Sequence, residues 1–175
     1  MKPQYPEKRI GWKDHPFQND DDVRDLARAH FLQAVQACEP AVLGSLAALP
    51  NAQRASIDAW AARWHLTAPW CLGYARGTLE LWTHFPQARG RFWGDDETRQ
   101  ARFVPDTERP VGHALKEPEH FVWLARFQVQ GHPFMQIAER AERRRTVELA
   151  IKRLAAWIEL PLRSSPRGGA RTKAR

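Results

Sequence analysis

The chain has 175 residues, 43% of them hydrophobic, with 27 Lys and Arg against 20 Asp and Glu for a formal net charge of +7. That length suits one domain or a little more; no apolar run approaches the ~18 residues of a membrane span, and two cysteines, Cys38 and Cys71, are too few for a disulfide framework or a cysteine-rich zinc site. Residues 143–175 hold ten basic and two acidic side chains, a net +8, which leaves residues 1–142 at −1, so a near-neutral body carries a strongly basic end.

Met1 to Tyr5 include no apolar segment of the kind that directs secretion, so a cytoplasmic protein is expected. Residues 1–19, with Pro3, Pro6 and Pro16, read as an irregular arm anchored by Trp12 and Phe17. Asp20, Asp21 and Asp22 supply an N-cap and the negative charge that favours a helix start. Val23, Leu26, Ala27, Phe31, Ala34, Val35 and Cys38 then fall at helical spacing on one face. Pro40 ends that helix, and a short second one runs through Val42, Leu43 and Leu46. Asn51 is the expected cap of a third, through Ile57, Trp60, Ala61 and Trp64. Thr67 followed by Pro69 marks a fourth start. That helix is apolar nearly all round through Trp82 and Phe85, which predicts a central place. Gly73 and Gly77 cost helix propensity, and close approach of a neighbour is one reason to tolerate them. These elements make residues 20–86 a helical bundle.

Residues 87–116 are rich in Gly and Pro and read as a linker or partly structured insert, with a short helix expected over Asp96–Phe103. Glu117, Pro118 and Glu119 open the next helix, whose apolar surface is Phe121, Trp123, Leu124, Phe127 and Val129, closed by Gly131. Pro133 begins another, with Phe134, Ile137, Ala138 and Ala141 inward. The last helix carries a stripe of Val147, Ala150, Ile151, Leu154, Ala155 and Ile158, opposite Arg145, Glu148, Lys152 and Glu159. Pro161 stops it. Residues 163–175 are a basic, Ser- and Gly-containing tail.

Residues 117–162 thus form three helices, and the strings Phe134-Met135-Gln136-Ile137-Ala138-Glu139 and Thr146-Val147…Ala150-Ile151-Lys152-Arg153-Leu154 resemble a helix-turn-helix of the sigma-factor region 4 kind. The resemblance covers about a quarter of the chain. It implies an all-α protein with a C-terminal trihelical unit, the last helix being the recognition helix. The turn departs from the pattern. It lacks the usual glycine, the matching position lies near Glu142, and the turn is one residue short. Two readings follow: a broken motif with Thr146 as N-cap, or one continuous helix from Phe134 to Leu160. The broken one is expected, because Ala141 and Val147 are six apart and leave a single helical face.

A recognition helix needs an apolar face to dock and a polar face for the groove. Here Arg145, Thr146, Glu148 and Lys152 are the candidates for base edges, and Arg143, Arg144, Arg153 and Arg163 those for phosphates. Double-stranded DNA is the expected partner, and the bundle is a candidate dimer surface. The plainer alternatives are a solvated helix face on a protein-interaction module with an incidental basic tail, or RNA binding. The aromatics lie mostly in the neutral body, away from the charge, which argues against base stacking on single strands.

Enzyme chemistry finds little support. Glu117 and His120 have the i, i+3 spacing of a di-iron helix but lack a second pair. Glu80 and His84 form a surface pair. His30, His65, Cys38 and Cys71 match no standard zinc spacing, and no glycine loop suits a phosphate. No catalytic residue, metal or cofactor is expected.

Overall fold

The computed structural model describes residues 20–49, 53–90, 92 and 118–164, and within them every regular element is helical. The helices are α1 (Asp20–Cys38), α2 (Ala41–Ala47), α3 (Arg54–Trp64), α4 (Pro69–His84), α5 (Pro118–Ala125), α6 (Phe134–Ala138) and α7 (Arg144–Trp157). No described helix is long and apolar enough to cross a membrane. The irregular arm, Trp12, Phe17, Asn51, Trp93 and the helix expected over Asp96–Phe103 all lie outside the described residues, as does the tail beyond Ser164.

The expected periodicities place the helices. α1 buries Leu26, Ala27, Phe31, Ala34 and Val35 as its spacing requires, and also Leu32. The face is wide because α1 packs on α2 and, more extensively, on α5. α5 in turn packs on α7, and α6 on α7. The buried side chains of both halves form one continuous hydrophobic cluster. The segment after α4 joins it too: Phe92 is buried, and Gln36 on α1 donates to the Gly90 carbonyl at 3.0 Å.

Two of the tryptophans expected in the core have hydrogen-bond partners that fix them. Trp60 is buried and donates to the Val42 carbonyl at 3.0 Å, while Trp60 and Trp64 both donate to the Ser45 hydroxyl, at 3.2 and 2.8 Å. One serine on α2 thus satisfies two indole N–H groups, which burial would otherwise penalise.

Helix ends differ in detail from the sequence expectation. α3 starts at Arg54 with Gln53 in the cap position, and α4 starts at Pro69 behind Ala68, neither with a side-chain cap bond. α4 buries Cys71, Ala75, Thr78 and Trp82, a single stripe rather than its whole surface. Gly73 faces open space: a Cβ at this position would meet nothing within 4 Å, so no neighbouring helix explains the glycine. Gly73→Ala is therefore expected to raise stability by about 0.5–1 kcal/mol, through lost backbone freedom in the unfolded chain. A urea titration that showed no gain would count against an unstrained helical Gly73.

Two helices close in Schellman motifs without glycine. At the end of α3, His65 has φ 58° and the Leu66 N–H reaches the Ala61 carbonyl. At the end of α7, Glu159 has φ 58° and the Leu160 N–H reaches the Ala155 carbonyl. Leu66 and Leu160 are both buried beneath these turns, the apolar contact that often accompanies the motif. Burial of these two leucines offsets the cost of a left-handed non-glycine residue.

Candidate nucleic-acid interface

The last helix is a separate element. α6 ends at Ala138, Glu139 turns left-handed at φ 57°, a short 3₁₀ turn spans Ala141–Arg143, and α7 begins at Arg144. The continuous-helix alternative does not occur. The left-handed residue is Glu139, three positions before the expected Glu142, and Thr146 lies in the first turn of α7 rather than at its cap. Arg143 occupies the cap position without a side-chain cap bond.

α7 is docked by Val147, Ile151, Leu154 and Ala155, with Ile158 just beyond its end, all buried. Its opposite side exposes Arg145, Thr146, Leu149, Lys152 and Arg153, while Arg144 is exposed at the N-terminal end of the docked face, one turn before Val147. Glu148 is half-buried and forms an ion pair with Lys152 at 2.6 Å. That bond and the neighbouring Arg144 hold the Glu148 carboxyl below the usual range.

The eight candidate residues divide. Arg145, Thr146, Lys152 and Arg153 share the exposed side of one helix with the rim residue Glu148, and Arg144 is exposed at the helix start above the docked face. Arg143 does not point freely outward: its guanidinium lies 5.6 Å from the Trp123 ring centre and 3.6 Å from the Glu119 carboxylate. It ties the start of α7 to α5. Arg163 sits apart from this row. Its side chain crosses Gly131 and reaches the Gln128 carbonyl at 3.4 Å, so closely that a Cβ on Gly131 would meet its Nη1 at 2.6 Å. Gly131 also has φ 72°, the left-handed conformation that favours glycine, whereas a side chain there would displace only the guanidinium end of Arg163.

Sequence reasoning missed what holds this arrangement. After Ala125 the helix widens into a π-helical stretch over Arg126–Gln130, and Phe127, Gln128 and Val129 are buried in succession. The α-helical turn before it likewise buries Trp123, Leu124 and Ala125 in succession, so the whole segment 123–129 runs through the interior apart from Arg126. Gln128 is fully buried; its amide nitrogen donates to the carbonyls of His65 and Pro161, and its oxygen accepts from the Arg163 N–H at 3.2 Å. One side chain thereby joins the exit of α3 to the segment leaving α7. A polar residue between two apolar ones at an expected helix end was the available signal. Next to it, Gln130 donates to the Cys38 carbonyl at 2.7 Å, closing the end of α1, and Phe127 stacks on Phe134 of α6 with ring centres 4.7 Å apart.

A second tie comes from α1. Arg28 donates to the Ile158 carbonyl at 3.3 Å, pairs with Glu159 at the end of α7, and lies 5.3 Å from the Trp70 ring centre on α4. The outward face of α7 is thus carried on a helix anchored at both ends, near Trp123 at its start and Arg28 at its exit.

The comparisons with known proteins add no relative. The chain matches no protein-family model, no curated protein and no solved structure.

The remaining titratable groups are set by burial. Among the described residues no three His, Cys, Asp or Glu side chains gather as a metal cluster would. Burial pushes the Cys71 thiol far above its ordinary value, and raises Cys38 against the opposing pull of Arg126. Neither is poised as a thiolate. Burial lowers His30, which packs on Phe121; burial and then the Arg163 charge lower His65. A histidine depressed in the folded state favours folding fully above the unfolded value of 6.5 and loses that contribution as the pH falls toward its folded value. The melting temperature should therefore drop on acidification below about 6.5. A His30→Gln/His65→Asn variant should lose less over the same window; an equal loss would assign the acid sensitivity to carboxylates alone.

Proposed function

We propose that this chain binds double-stranded DNA sequence-specifically and without catalysis, with α7 inserted in the major groove, as a bacterial-type transcription regulator. The observation that carries the reading is the break at Glu139–Arg143, which frees α7 as a helix with a buried apolar face and a basic outward face. Residues 139–153 hold six basic and three acidic side chains. Arg144 and Arg145 stand at the positive end of the helix dipole, where cations are unfavourable for folding. A phosphate backbone brought to that end relieves the conflict, and the helix N-terminus itself favours an anion. Arg143 and Arg163 act as positioning residues in this reading rather than phosphate contacts. The N-terminal bundle serves as the dimer surface, placing two copies of α7 about one helical turn of DNA apart.

Gel-shift titration over a salt series tests the proposal. With Arg144, Arg145, Lys152 and Arg153 each neutralising one phosphate, log K falls with log[salt] at a slope of roughly −3.5 for a chain ending at Ser164. The intact chain, whose tail adds Arg167, Arg171, Lys173 and Arg175, gives a steeper slope. If all affinity leaves with residues 165–175, α7 is not the binding element. A double-stranded RNA competitor that displaces DNA at equal concentration reassigns the partner.

A further inference from the structure

One apolar side chain interrupts the basic outward face of α7. Leu149 is 43% exposed, although Val147, Ile151, Leu154 and Ala155 already fill the inward side of the helix. Helical spacing puts Arg145 and Arg153 one turn before and after it, Lys152 at i+3 and Ala156 at i+7. Lone exposed leucines are commonplace on protein surfaces. The flanks distinguish this one: Arg145 and Arg153 stand one turn to either side of it, with Lys152 held by Glu148 at 2.6 Å beside them, a setting that suits a site walled by phosphates better than an apolar protein surface. Of the groups a duplex displays in its major groove, the 5-methyl of thymine is the apolar one.

We infer that Leu149 contacts a thymine methyl group and makes α7 prefer thymine over unmethylated pyrimidines at one position of its site. The inference rests on the proposed placement of α7 in the groove. Removing the methyl from such a contact should weaken binding about fourfold, the worth of one buried methyl-sized group. Leu149→Ala keeps a strong helix former at an exposed position, so the fold is retained.

The test uses the full chain. A duplex site is selected from a random library, and affinity is remeasured with deoxyuridine replacing thymine one position at a time. The wild type should lose about fourfold at one position. Leu149→Ala should bind thymine and uracil there equally, while Met135→Ala, which removes an exposed apolar side chain outside α7, should keep the discrimination. Wild-type binding that is indifferent to uracil throughout overturns the inference and leaves the DNA reading standing. Discrimination that persists in Leu149→Ala overturns it too. Failure to select any duplex overturns both.

Discussion

Gln128→Leu is expected to lower the unfolding free energy by about 3 kcal/mol, and the melting temperature by roughly 6–12 °C. The leucine fills a similar volume, so packing changes little. What it removes are three hydrogen bonds, leaving the His65 and Pro161 carbonyls and the Arg163 N–H without their partner. Each such orphan costs ~1–3 kcal/mol when water cannot reach it. Gln130→Ala is the control: it deletes one bond, to the Cys38 carbonyl, and should cost only about 1 kcal/mol. A Gln128→Leu loss no larger than that of Gln130→Ala in urea denaturation would mean that water replaces the missing partner.

The second large effect concerns binding. Arg144→Gln/Arg145→Gln should weaken duplex binding by at least about 30-fold at moderate salt, since each basic contact contributes ~1–3 kcal/mol. The salt slope should become shallower by about 2. The same pair of changes should leave stability unchanged or raise it by up to ~1 kcal/mol, because two cations leave the positive end of a helix. Opposite signs for binding and folding are what a functional surface predicts. A double variant that binds normally would remove the first turn of α7 from the interface, and one that unfolds would make these arginines structural.

The parts of the fold legible in the sequence are those where apolar spacing governs. The stripe Val147, Ile151, Leu154, Ala155 and Ile158 on α7, and Phe31 with its neighbours on α1, follow directly from a 3.6-residue period. The turns are harder to read because the usual signal is glycine, and here His65, Glu139 and Glu159 take the left-handed conformation. Nothing in the residue type at 139 marks it as the break, which is why the expected position falls at Glu142. The π-helical widening over Arg126–Gln130 leaves no mark in residue type, and the burial of Gln128 within it follows from contacts to residues 65, 161 and 163 that lie far away in sequence. Within the candidate interface, the exposed row on α7 follows from periodicity. The contact of the exposed Arg143 with Trp123 and of Arg163 with Gln128 does not, because it joins residues distant in sequence.

The two carbonyls that share the Gln128 amide belong to the exits of two different helices, one at residue 65 and one at residue 161. Opening either exit leaves part of the same buried amide without its partner, at a cost of ~1–3 kcal/mol. Local fluctuations that would fray the last turn of α7 are thereby raised toward the cost of global unfolding. In amide hydrogen exchange the final turns of α3 and α7 should protect to the same degree and respond together to denaturant. A protein built this way presents its outward helix on a support whose two exits are tied through one side chain, so that loosening the end of α7 is felt at the end of α3.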